Sequence, residues 1–334
     1  MPSFTVFKGS KEGVKKSTTT KPDELKGDQV LLRVTVSGLC GTDLHYKEQD
    51  MVLGHEGSGV VEAVGPEVKN LAKGDRVGWG YQTDACGACQ QCLTGHETYC
   101  AGRNLYGYHN FDQGSFASGA VWREAFLHKL PDNLSDEAAA PLQCGGATVY
   151  AALQGLEKPG VTVGVLGVGG LGHLAIQFAA KMGCRVVVLS GSSAKREQAL
   201  QLGAHKFVAT NEGQTLGDDG EGWTIDRLLV TSSVQPKWDS LLPMMSMRSQ
   251  IYPLSVSHTD LVIPYLPLIA MGITIQGSLV ADRSVHREML QFAALQGVKP
   301  ITETFPMTEA GISEAIGKLE DGKMIYRGVL IPAN

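Results

Sequence analysis

At 334 residues, with 43% hydrophobic and 19% charged side chains, the chain is long enough for two globular domains and can fill their cores without disulfide staples. A net charge of -5 and a pI near 6.0 leave no basic footprint for nucleic acid or an anionic membrane surface, so the expected partner is a small molecule. The N-terminal residues carry no charged-then-apolar leader pattern, repeats and low-complexity tracts are absent, and the expected location is cytoplasmic.

Up to about residue 146 the pattern is one of short alternating strands broken by Gly, Asp and Pro, as in residues 30–36 and 57–64, which predicts a β-rich first domain. Within it, Cys86, Cys89, Cys92 and Cys100 form a C-x2-C-x2-C-x7-C cluster. Four thiolates close a tetrahedral shell around Zn²⁺ and leave no position for substrate, so this cluster predicts a structural metal site that braces a loop. An iron–sulfur run of the common ferredoxin type ends in x3-Cys-Pro, whereas here the last gap is seven residues and Ala101 follows. Disulfides fit poorly with an odd total of seven cysteines.

From Val161 the pattern changes to buried strands alternating with helices, at residues 161–166, 185–189, 206–208, 225–230, 250–252 and 274–276, which predicts a doubly wound parallel sheet. The long apolar stretch from Val163 to Ala180 approaches membrane-spanning length, but its five glycines, His173 and Gln177 make it strand, turn and helix. Its turn is Gly167-Val168-Gly169-Gly170-Leu171-Gly172, a G-x-G-x-x-G fingerprint after a strand and before a helix. Such glycines permit a tight turn and close backbone approach, while the helix start supplies N–H donors for a pyrophosphate. The expected core face of the helix is Leu171, Leu174, Ala175, Phe178, Ala179 and Met182.

About 20 residues beyond such a fingerprint, NAD binders place Asp or Glu on the ribose 2′-OH. Here the text is Leu189-Ser190-Gly191-Ser192-Ser193-Ala194-Lys195-Arg196, with hydroxyls and two cations and no carboxylate. Ser190, Ser192 and Lys195 are therefore expected to receive the 2′-phosphate of NADP; the alternative is that the serines cap the next helix and Lys195 and Arg196 are simply solvated. The polar stretch from Asn211 to Trp223 reads as a surface loop, and Cys184 as a small buried packing residue. After Ala281 the chain returns to helix and strand that rejoin the first domain.

Cys40 lies in Gly38-Leu39-Cys40-Gly41-Thr42-Asp43-Leu44-His45, and Cys144 in Ala140-Pro141-Leu142-Gln143-Cys144-Gly145-Gly146. Taken in order with Gly54-His55-Glu56-Gly57, the four-cysteine lobe and the fingerprint, these segments make nearly the whole chain resemble the zinc-dependent medium-chain alcohol dehydrogenases. Within that family the Cys144 context and residues 190–196 are most similar to the NADP-dependent cinnamyl alcohol dehydrogenase branch. The resemblance implies an α/β fold, with a β-rich GroES-like catalytic domain over 1–146 and 283–334 and a doubly wound Rossmann nucleotide-binding domain over 147–282.

It further implies that Cys40, His55 and Cys144 hold a catalytic Zn²⁺, that Glu56 exchanges with water at the metal, and that Asp43 orients the ligating imidazole. Thr42 and His45 match the family's proton relay, which runs through a nicotinamide ribose hydroxyl. Gly277-Ser278 and Tyr326-Arg327 also fit, with Ser278 at the cofactor and Arg327 there, bracing the domain interface, or in a structural ion pair. The implied whole is a homodimer with two Zn²⁺ per chain and NADP, transferring hydride between the cofactor and a small alcohol/aldehyde pair, with broad aldehyde reduction that includes aromatic substrates. A C=C or C=N reductase and a non-catalytic NADPH-binding sensor are the alternatives, and the complete ligand set with Thr42 and His45 speaks against both.

Two departures stand out. Gly191 occupies a position where the branch often has Arg, and the fourteen residues between Cys40 and His55 are fewer than typical members have, which predicts a more open substrate mouth. Trp79 and Tyr81 either line an aromatic pocket or belong to the core.

Overall fold

The computed structural model describes residues 2–156, 160–217, 220–257 and 259–332. The chain forms two compact units, one of Met1–Ala147 with Val280–Asn334 and one of Thr148–Leu279.

In the first unit the strand Gln29–Leu39 is central. Its alternating apolar residues Val30, Leu32, Val34 and Val36 turn inward at 0–3% exposure, as a pleated strand with one buried face requires. It pairs antiparallel with Glu56–Val64, Gly119–Arg123 and the last strand Arg327–Pro332, and the full sheet has seven strands. From Val36 to Leu39 the alternation gives way to continuous burial, so the strand delivers the next residue, Cys40, into the interior. Trp79 is wholly buried in this unit's core, 5.7 Å from Trp122 between ring centres. It is therefore a core residue. Gly57 is the complement of that indole, because a Cβ there would lie 2.1 Å from the Trp79 ring.

The second unit carries a six-stranded parallel sheet in the order Lys206–Ala209, Arg185–Ser190, Thr162–Leu166, Ile225–Val230, Met245–Pro253, Thr274–Ile275. This order reverses at the first strand, Thr162–Leu166, and in such sheets ligands bind outside the carboxyl ends at the reversal. The near-continuous runs Val186–Leu189 and Leu228–Val230 are buried, as helices on both faces demand. The stretch from Val163 to Ala180 is strand, turn and the helix Gly172–Lys181. That helix is buried more widely than its expected face: His173 and Ile176 are at 0%, while Leu171 and Met182 are only half-buried. The segment from Asn211 to Trp223 is largely turn, yet Leu216 and Trp223 pack into this unit's core; residues 218 and 219 lie outside the described ones. Cys184 is buried after the helix-to-strand turn at Gly183. Among the described residues no helix is long and apolar enough to cross a membrane.

Candidate active site

In the first unit, Cys40 follows the central strand and caps the short helix Gly41–Leu44: its Sγ accepts from the Thr42 amide at 3.3 Å, and its own amide donates to Asp43 Oδ2 at 3.0 Å. Register places Glu56 opposite Gly38 on the neighbouring strand, bringing His55 beside Cys40. His55 Nε2 lies 3.2 Å from Cys40 Sγ, and its Nδ1 lies 2.9 Å from Asp43 Oδ1. Cys144 arrives from a π-helical turn, Leu142–Gly146, a distortion found often at functional positions. The donor atoms of Cys40, His55, Glu56 and Cys144 all lie within 4.8 Å of one another.

The donor set suits Zn²⁺, combining two soft sulfurs with an imidazole whose other nitrogen is held by a carboxylate. The Cys144 thiol pulls the Cys40 thiol well below its ordinary value, against the effect of burial. Glu56 is wholly buried with Oε2 lacking any hydrogen-bond partner, and its Oε1 accepts from the guanidinium of Arg327. Burial pushes the Glu56 carboxyl up to about 7 against the pull of that cation. Arg327 is thus engaged in a buried ion pair within the first unit, the structural alternative to a cofactor contact.

Thr42 is half-buried in the first turn after Cys40, and His45 is exposed at the end of the same helix. Sequence reasoning missed Tyr106. Its hydroxyl donates to Asp43 Oδ1 at 3.1 Å and accepts from the Gly54 amide at 2.9 Å, and its ring lies 4.8 Å from that of His55. Gly54 has φ +90° and no room for a Cβ, which would lie 2.3 Å from Phe116, so the backbone before His55 is fixed twice. Tyr106→Phe should leave both partners short of a hydrogen bond. We expect about 1–3 kcal/mol of lost stability and a 10- to 100-fold weaker hold on zinc at this site, measured by denaturation and by competition with a chelator.

The second group is sulfur only. Cys86, Cys89, Cys92 and Cys100 gather with Sγ separations of 3.9 Å for Cys86 and Cys92, 3.6 Å for Cys89 and Cys92 and 3.5 Å for Cys86 and Cys100. Backbone amides of Ala88 and Cys89 bring the Cys86 thiol down to about 6, favouring a thiolate. The lobe is tied to the start of the helix Arg283–Gln296. Asp282 Oδ1 accepts from the Thr98 amide and hydroxyl at 3.0 and 2.6 Å, and buried Glu97 accepts from the Arg283 amide and Nε at 2.7 and 2.8 Å.

In the second unit the fingerprint links Thr162–Leu166 to the helix Gly172–Lys181. Gly167 has φ +98°, and a Cβ on Gly172 would lie 2.0 Å from the Gly167 carbonyl, so glycine is required at both positions. Gly169 has open space around it, while Gly170 and Leu171 lead into the helix. Lys195 Nζ reaches back to the Val168 carbonyl at 2.8 Å, which sets a cation at the fingerprint turn. Arg196, expected as a second cation there, instead lies over the Phe207 ring and donates to Gln214 at 2.8 Å. Ser190 ends its strand, Ser192 precedes a 3-10 turn, and Ser278 is half-buried beyond Thr274–Ile275. A second residue missed from sequence is Glu212, whose Oε1 accepts from the Ser193 amide at 2.7 Å.

Residues 26–132 match the alcohol dehydrogenase GroES-like domain, and residues 170–295 match the zinc-binding dehydrogenase domain. A probable formaldehyde dehydrogenase of Bacillus subtilis is 35% identical over 94% of this chain and 93% of its own length. Cinnamyl alcohol dehydrogenase 8 of Arabidopsis thaliana is 34% identical over 91% of this chain and 88% of its own. Among solved structures, a cinnamyl alcohol dehydrogenase from Sorghum bicolor superimposes with a TM-score of 0.87 at 33% identity, covering 98% of this chain and 97% of that one.

Proposed function

Because the chain belongs to the zinc-type alcohol dehydrogenases, enzymes of alcohol and aldehyde oxidoreduction, we propose that it is a two-zinc, NADP(H)-dependent aldehyde reductase that accepts aromatic aldehydes. The observation that carries this reading is the cluster of Cys40, His55, Glu56 and Cys144 in the interior of the first unit, with Thr42 in the turn that directly follows Cys40. Zinc bound there would polarise a substrate oxygen, and the nicotinamide would supply the hydride chemistry.

The chain's own residues set the conditions. Asp43, steadied by Tyr106, holds the Nδ1 proton of His55 and so turns Nε2 toward Cys40 as a ligand. The Thr42 hydroxyl exchanges a proton with the substrate oxygen, and exposed His45 exchanges it with solvent. Arg327 anchors Glu56 through Oε1 and opposes the effect of burial on its carboxyl, which leaves Oε2 without a protein partner beside the cluster. Tyr81 stands edge-on to His55 at 5.9 Å, and Tyr46 packs on Tyr106 at 5.2 Å, which supports an aromatic substrate.

Support for NADP is the cation of Lys195 at the fingerprint and the lack of a carboxylate among residues 189–196. We expect a higher kcat/KM with NADPH than with NADH, and Lys195→Ala should lower that ratio by about 10- to 100-fold, the worth of one charge-assisted phosphate contact. Equal use of both cofactors by the unmodified protein would defeat the assignment. The exposed apolar residues Val262, Tyr265, Leu266 and Ile269, close in sequence to the edge strand Thr274–Ile275, support a homodimer through the second unit, which sedimentation would test. Gathering six of the seven cysteines into two metal-ligand sets supports a reducing, cytoplasmic setting. Aldehyde-dependent NADPH oxidation, measured alongside zinc content, tests the whole reading.

A further inference from the structure

Parallel register in the second unit sets Ser190 opposite Ala209, so the loops leaving these two strands run side by side. They are joined at three points. Thr210 Oγ1 donates to the Ser190 carbonyl at 3.1 Å. Gly191 lies so close to Asn211 that a Cβ at 191 would sit 2.9 Å from Asn211 Nδ2. The Ser193 amide donates to Glu212 Oε1 at 2.7 Å. A longer side chain at 191 would have to move the Asn211 amide aside.

The third contact brings a carboxylate from the following loop into the segment where sequence alone shows none. We infer that Glu212 determines cofactor specificity: its carboxylate occupies the Ser193 amide that a 2′-phosphate would use, and so holds the preference for NADP over NAD below what Ser190, Ser192 and Lys195 alone would give. The inference rests on reading the second unit as the dinucleotide site. Both anions accept from the same N–H, and they repel each other, so a 2′-phosphate must displace Glu212 or bind beside it. The 2′-hydroxyl of NAD meets no such penalty and can donate to the carboxylate. The Ser193 amide and hydroxyl also hold the Glu212 carboxyl below the usual range, which keeps it charged at neutral pH.

Glu212 is exposed, so its replacement leaves the core untouched. The test uses the full-length protein with Glu212→Gln and Glu212→Lys. Binding of 2′,5′-ADP against 5′-AMP is measured by calorimetry, and kcat/KM with NADPH against NADH by aldehyde reduction. The Gln variant should raise both ratios about tenfold, and the Lys variant more, by removing and then reversing one charge a few ångströms from the phosphate. Ratios unchanged in both variants, or both ligands of each pair altered alike, would overturn the inference. An unmodified protein that prefers NADH, yet shifts toward NADPH in the Gln variant, would defeat the NADP reading and leave the role of Glu212 standing. An unmodified protein that prefers NADPH and does not respond would do the opposite.

Discussion

Cys40→Ser should reduce aldehyde reduction by at least about a thousandfold while leaving the fold and one equivalent of zinc in place, whereas Cys100→Ser should do nearly the reverse. The argument is one of donor sets. Cys40 belongs to a mixed sulfur, imidazole and carboxylate cluster, and under the proposed function losing its thiolate would remove a ligand on which polarisation of a substrate oxygen, worth several kcal/mol, depends. Cys100 belongs to four sulfurs that can close a shell, and it is itself fully buried. Under the proposed function, breaking that shell would loosen a lobe tied through Glu97 and Asp282 to the helix that begins at Arg283. We expect Tm to fall by roughly 10 °C, with the residual folded enzyme still active. Zinc content, thermal unfolding and kcat measured on the same preparations decide it. Equal loss of activity in the two variants, with both folded, would mean that the sites do not divide the labour in this way.

Truncation of Arg327 to Ala should destabilise the fold strongly. Arg327 is 5% exposed and Glu56 is wholly buried, so the truncation strands a carboxylate in the interior. Breaking one side of a buried pair costs about 3–5 kcal/mol. The lower end is expected, because burial has already pushed the Glu56 carboxyl up to about 7 and the stranded group can take up a proton. Glu56→Gln in the same background should recover part of the loss, giving a coupling energy above about 1 kcal/mol in a double-mutant cycle measured by urea unfolding. Additive effects would show that the pair contributes nothing to the fold.

The β-rich first domain and the parallel sheet of the second were legible in the sequence because their signals are local. Alternation at Val30, Leu32, Val34 and Val36 reports one buried face, and glycines between an apolar strand and a helix report a turn that needs them. Spacing set apart the four-cysteine cluster, since ligand chemistry restricts residue type so strongly, whereas Cys40, His55, Glu56 and Cys144 were legible as a group only through the family resemblance. What stayed hidden was whatever depends on partners far along the chain. Tyr106 meets Asp43 across 63 residues of sequence, and Arg327 meets Glu56 across 271. No period or motif marks either contact. Glu212 escaped because the register of two parallel strands, rather than proximity in sequence, brings it to Ser193. The wide burial of the helix after the fingerprint has a similar origin: its apolar face is readable, but how far neighbouring elements wrap round to cover His173 is a tertiary fact.

The most direct test of the central claim is a titration of the active protein with a zinc chelator, following bound zinc and aldehyde-dependent NADPH oxidation together. Two equivalents of zinc per chain are expected at the start. Activity should vanish in proportion to the loss of one equivalent while the fold persists, and return when zinc is restored. Full activity at one equivalent or fewer would contradict the account.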